Sequence, residues 1–151
     1  MDNEPRVHYI DSSVILRAVV DGSKAVAAWW EHQSTQNAIF ISSKLLDLEV
    51  RRVIHNISNT LGVPTDYSTA EYYLDDVYFM RIQDELIDSA ISLAPSLSGA
   101  DSLHIATALR VGSSQISIVT HDAQMARAAL ALEFAVIDPV TDDPNRQPVV
   151  S

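Results

Sequence analysis

The stretch from Val7 to Leu16, Val-His-Tyr-Ile-Asp-Ser-Ser-Val-Ile-Leu, constrains the fold more than any other. A β-favouring run stops at Asp11, and two serines then open an apolar helical segment. A strand that ends in an acid and turns straight into a helix is how an open parallel sheet places a functional side chain. Ligands of such sheets bind in the crevice beyond the carboxyl ends of the strands. The same position also suits a helix cap, since Asp and Ser are favoured there. Asp11 alone leaves both readings open.

The rest of the chain repeats the alternation. Helices are expected over 11–20, 23–33, 44–60, 68–77, 84–93, 100–111 and 123–132, and strands over 38–41, 79–82, 115–120 and 134–137. Ser43 is placed to cap the third helix, and Gly62 and Pro64 break it. Ser68-Thr69-Ala70-Glu71 has the form of a capping box for the fourth. Strands alternating with helices predict an α/β fold, a central and mainly parallel sheet with helices on both faces. Without repeats, low-complexity tracts or linkers, residues 1–138 read as one domain. Residues 139–151, with three prolines and no apolar period, read as a flexible tail.

The net charge is −10, from 20 acidic and 10 basic residues. A protein that grips nucleic acid through its phosphates normally shows a basic face. Overall charge rules that out here, so either the partner is no polyanion or bound cations reverse the local sign. There is no cysteine, which excludes disulfides and thiolate metal sites. The acidic, polar start resembles no signal peptide, and no apolar stretch approaches the roughly 18 residues a membrane span needs. A soluble, cytoplasmic protein is expected.

Three further acids stand where acids are costly. On a wheel of about 100° per residue with Leu45 at zero, Glu49 falls at about 40°, inside the arc of about 0–180° that holds Leu45, Leu46, Val50, Val53, Ile54 and Ile57. Burying an unpaired carboxylate is unfavourable, so Glu49 has a ligand, a salt bridge to an Arg or Lys, or exposure at the end of the stripe. Asp101 follows Gly99-Ala100 at the start of a mostly apolar helix, as a cap or a site residue. His104, one turn on, reads as a satisfied core histidine that supports a site rather than a ligand. Asp122, preceded by Thr120, repeats the strand-acid-helix placement of Asp11. Each acid has a structural explanation of its own, yet all four fall at strand ends or on buried faces. Carboxylates without thiolates suit hard cations such as Mg²⁺ or Mn²⁺, and no histidine pair has the spacing of a zinc site around them. Ions held by such acids orient water and stabilise the oxygens of a phosphoryl displacement.

The residues also carry a family resemblance. Ile10-Asp11-Ser12-Ser13, Leu48-Glu49-Val50, Gly99-Ala100-Asp101-Ser102-Leu103-His104-Ile105-Ala106-Thr107-Ala108 and Val119-Thr120-His121-Asp122 stand in the order seen in PIN-domain ribonucleases. The chain most resembles the VapC-type toxins of bacterial toxin–antitoxin pairs, from about Val7 to Pro139. The Asp-Ser-Leu-His-Ile-Ala block is the most specific part of the match. The resemblance implies a PIN-like three-layer α/β/α sandwich and Mg²⁺- or Mn²⁺-dependent endoribonuclease activity. It implies an acidic metal pocket built from Asp11, Glu49, Asp101 and Asp122, with Ser13 and Thr120 assisting by hydrogen bonds. It also implies an RNA substrate, a cognate VapB-type antitoxin over the pocket, and a homodimer.

On this reading a metal-activated water attacks the scissile phosphorus, leaving 5′-phosphate and 3′-hydroxyl ends. Arg17, Lys44, Arg51 and Arg52 are either phosphate contacts or an ordinary solvated face. Part of the helix that carries Trp29-Trp30 is expected to meet a second subunit or the antitoxin, since Trp is enriched at interfaces, with core packing as the alternative. Two other functions remain open: a non-catalytic interaction module on the same fold, and a haloacid dehalogenase-like phosphatase. The second uses Asp-x-Asp after its first strand, and here position 13 is Ser.

Overall fold

The computed structural model describes residues 4–93 and 96–140. The chain runs β1 (Val7–Ile10), α1 (Ser12–Val20), α2 (Lys24–Thr35), β2 (Ile39–Ser43), α3 (Leu45–Leu61) and α4 (Ser68–Leu74). It continues through β3 (Val77–Met80), α5 (Asp84–Ile91), α6 (Gly99–Val111), β4 (Ser117–Val119), α7 (Ala123–Ala131) and β5 (Ala135–Ile137). The five strands form one sheet in the order β3-β2-β1-β4-β5, and every pairing is parallel. The expected α/β architecture is therefore present. The flexible tail expected over residues 139–151 falls, from residue 141 on, outside the described residues.

Alternation along β1 divides the core in two. His8 and Ile10 point to the face covered by α1 to α4, where Val14, Ile15, Leu46, Val50 and Leu74 pack. Tyr9 points to the other face, against Ile105 and Ala108 of α6 and Met125 and Ala129 of α7. No helix is long and apolar enough to cross a membrane among the described residues.

Trp29 and Trp30 belong to the first core, not to an interface: each is 1% exposed. Trp30 stacks on Phe40 with ring centroids 4.1 Å apart, meets Tyr73 edge-on, and donates its indole N–H to Asp76 at 3.1 Å. That hydrogen bond removes the cost of burying the indole nitrogen, so the alanines of α2 leave room for two large rings inward.

Several element boundaries differ from the sequence expectation. Ser68 is the first residue of α4 rather than its cap, because the Asp66 carboxylate accepts the Ser68 N–H at 2.9 Å. The helix stops at Leu74, and Val77 instead pairs with Phe40, which starts β3 two residues early. Strand β2 runs on through Ser42 and Ser43, beyond its apolar run, since both serines find buried partners. The Ser42 hydroxyl donates to the Ile10 carbonyl at 2.7 Å, and the Ser43 N–H donates to the Tyr9 hydroxyl at 3.1 Å.

Candidate active site

Strand order reverses between β1 and β4: the chain winds outward through β2 and β3 on one side and through β5 on the other. Such a switch point opens a crevice beyond the carboxyl ends of the two central strands. Asp11 follows β1 at this crevice and Thr120 follows β4, and the Asp11 N–H donates to the Val119 carbonyl at 3.0 Å.

Asp11 occupies the N-cap position of α1, yet its carboxylate caps nothing. Its Oδ2 accepts the hydroxyls of Ser13 at 2.7 Å and Thr120 at 2.8 Å. The residue is 4% exposed, and burial pushes its carboxyl above the usual carboxylate range. His104 and the two hydroxyls pull it back, and the Glu49 charge adds to the rise. The two supporting residues are themselves tied down. The His121 N–H donates to Ser13 Oγ at 2.9 Å and the Asp122 N–H to Thr120 Oγ1 at 3.0 Å, so the start of α7 fixes the hydroxyls that hold Asp11.

Glu49 does have a buried partner, but it is a histidine rather than a lysine or arginine. His104 Nε2 lies 2.5 Å from Glu49 Oε1, and His104 Nδ1 lies 2.7 Å from the Tyr9 hydroxyl. In the neutral ring, a Tyr9 hydroxyl donating to Nδ1 pairs with a proton on Nε2, facing Glu49. Burial lowers the affinity of His104 for a second proton. The Glu49 hydrogen bond and the charges of Asp11, Glu49 and Asp101 outweigh that effect, and its pKa is raised overall. The expected core histidine is thus a clamp that links α6 to α3 across the end of the sheet. Tyr9, which sequence reasoning missed, anchors it; the strand alternation that turns Tyr9 toward α6 was the available signal.

Asp101 does not cap α6. Ser98 does, accepting the Asp101 N–H at 3.1 Å, which leaves the Asp101 carboxylate on the first turn. Its pKa is raised by burial and then by the charges of Asp11 and Asp122. Asp122, by contrast, is the cap of α7: its Oδ1 accepts from the N–H groups of Gln124 at 2.8 Å and Met125 at 3.3 Å. The four acids therefore lie within electrostatic reach of one another, Glu49 to Asp11 to Asp101 to Asp122.

The donor chemistry fits a hard cation: all four are carboxylates, and Asp11 is buried with no basic side chain bonded to it. Among the described residues, however, no three His, Asp or Glu side chains stand close enough to form a complete ligand set. A metal would be held with water completing the shell, as Mg²⁺ commonly is.

A family profile described as PIN domain matches residues 8–131, most of the chain. The chain belongs to the PIN domain family. Members of this family are generally nucleases. Among solved structures, this PIN domain is similar to a chain of VapBC2 from Rickettsia felis, crystallised bound to a DNA fragment from their promoter. The two share 10% identity with a TM-score of 0.63, over 86% of this chain and 96% of that one. No curated protein sequence matches.

Proposed function

We propose that this PIN domain is a Mg²⁺- or Mn²⁺-dependent endoribonuclease, the toxin of a VapBC-type pair, acting on cytoplasmic RNA and restrained by a VapB-type antitoxin. The observation that supports the reading is the buried Asp11 carboxylate beyond the end of β1, with the charge of Glu49 acting on it and its own charge, like that of Asp122, acting on Asp101. Family membership and the fold shared with a VapBC2 chain support it.

Asp11, Glu49 and Asp101 would hold the metal, with Asp122 a fourth ligand, direct or through water. A divalent ion bound there supplies Lewis-acid charge and a water acidic enough to ionise near neutral pH. The chain supplies position. Ser13 and Thr120 fix one Asp11 oxygen, and the other has no hydrogen bond among the described residues. His104, fully buried with both ring nitrogens engaged, holds Glu49 and has no path to substrate, so it is a positioning residue rather than a proton shuttle. Without His104 as a base for the ribose 2′-hydroxyl, the reading is hydrolysis by water, with 5′-phosphate and 3′-hydroxyl products. A homodimer belongs to the same reading, and light scattering tests it.

The experiment is cleavage by pure, antitoxin-free protein. Single-stranded or looped RNA should be cut with Mg²⁺ or Mn²⁺, and EDTA should stop it. If several structured RNAs, tRNAs among them, survive high protein concentration with Mn²⁺, the nuclease reading gives way to a non-catalytic interaction module.

A further inference from the structure

The chain has only 10 lysines and arginines, and three of them line one groove. Lys44, Asp47, Leu48, Arg51, Arg52, His55 and Tyr67 surround an open depression of about 450 Å³ on the outer side of α3, so one acid stands among the bases. On a wheel of about 100° per residue with Leu45 at zero, the α3 members and Lys44 fall between about 200° and 340°, and Glu49 at about 40°. Arg52 stands at the near edge of that arc, one turn after Glu49. The basic groove and the acidic pocket therefore share a helix and adjoin along it.

The side chains in the groove divide by function. Arg51 is fixed: its Nε meets Asp47 at 2.8 Å, its Nη1 meets Glu71 at 3.3 Å, and its guanidinium lies over the Tyr67 ring at 5.1 Å. Lys44 is 61% exposed, with its amine over the Phe79 ring at 4.8 Å and 3.7 Å from Asp47. Arg52 and His55 are exposed, and no hydrogen bond or ion pair engages either among the described residues. Leu48, 57% exposed, adds an apolar surface beside them. The unengaged Arg52 guanidinium and the mostly exposed Lys44 amine, around an aromatic and apolar floor, suit a polyanion that also presents flat rings. Single-stranded nucleic acid has that chemistry: phosphates pair with cations, and bases pack on aromatic and guanidinium planes. A solvated helix face in a chain of charge −10 gives no reason to gather the scarce bases here.

We infer that this groove seats the RNA strand beside the cut site, with backbone phosphates on Arg52 and Lys44 and a base against the Tyr67–Arg51 surface. The inference rests on the ribonuclease reading and extends it to how an acidic protein holds its substrate. The groove supplies the local positive charge that the chain lacks as a whole, and it aims the strand at Glu49.

The test measures binding apart from cleavage. A fluorescein-labelled single-stranded RNA of mixed sequence is titrated in EDTA with wild type, Arg52→Glu, Lys44→Glu and, as a control, Lys24→Glu on α2. The groove variants should bind about tenfold or more weakly, and Lys24→Glu should match wild type. The slope of log affinity against log salt should fall by about 0.7 per lost phosphate contact. Arg52→Gln, which drops the charge and keeps a similar stem, should show the same direction if a reversal variant fails to fold. Equal affinities for groove variants and control, or no RNA binding by wild type, overturn the inference. So does a groove that loses poly-glutamate but keeps RNA, which would assign it to an acidic protein segment. The two readings separate cleanly. Loss of Mn²⁺-dependent cleavage with groove-dependent RNA binding intact sinks the nuclease and leaves the groove. Active enzyme with unchanged kcat/KM in Arg52→Glu does the reverse.

Discussion

Asp101 is held where its charge is opposed: burial and the charges of Asp11 and Asp122 all favour its protonated form. Carboxylates that share a partly buried pocket repel one another, and solvent and protonation relieve only part of that repulsion. Asp101→Asn removes one such charge and leaves the Ser98 cap of α6 in place, weakening only the Ser98 hydrogen bond that favours the charged carboxylate. The variant should melt higher than wild type in EDTA, lose cleavage, and gain much less from Mn²⁺, since ligand binding stabilises by mass action. A lower melting temperature in EDTA with an equal Mn²⁺ shift would remove Asp101 from the metal shell. Asp122 should behave in the opposite way. Its Oδ1 takes two backbone N–H groups of α7, so Asp122→Ala should lower stability by about 1 kcal/mol, the usual worth of an N-cap. Chemical denaturation of the two variants side by side distinguishes a charge kept for function from one kept for the fold.

At the scale of elements, what could be read from the sequence was local and what could not was long-range. The β1–α1 junction, the break of α3 at Gly62 and the apolar α6 follow from neighbouring residues, and the structure has all three. Three placements depended on distant partners. Val77 joins β3 because Phe40 is there to pair with it, Ser43 stays in β2 because Tyr9 takes its N–H, and Glu49 finds His104 55 positions away. Local composition carries none of these. The site is similar: four candidate acids were visible as anomalies, but that Ser98 rather than Asp101 caps α6 depended on turn geometry. The Trp29–Trp30 pair failed for a related reason, since helical spacing does not say how deep the facing cavity is. Trp30→Ala should therefore cost about 3–5 kcal/mol as a core truncation. A loss near zero by denaturant titration would return Trp30 to the surface.

For the whole molecule, two buried histidines set pH dependence in opposite senses, one in each helical layer. His8 packs against Trp29 and Phe40, its Nε2 bonds Gln33 Oε1 at 2.9 Å, and its buried Nδ1 has no partner. Burial lowers its pKa below 6.5, the Gln33 bond raises it somewhat, and Arg6 adds to the lowering. The native state then refuses a proton the unfolded chain accepts, so stability from neutral His8 is complete above pH 6.5 and is lost as pH falls toward the native value. His104 works the other way, because the surrounding carboxylates raise its pKa above 6.5. Its contribution is complete below pH 6.5 and is lost as pH rises through the native value. The two windows meet near pH 6.5 and do not overlap. In EDTA, urea midpoints from pH 5 to pH 9 should therefore separate them. His8→Phe should remove part of the fall in stability below pH 6.5 and leave the profile above it parallel to wild type. His104→Asn should flatten the profile above pH 6.5, and should also raise the Mn²⁺ concentration needed for half-maximal cleavage, because Glu49 is no longer held. A His104→Asn protein with an unchanged Mn²⁺ requirement would mean that the clamp serves the fold alone.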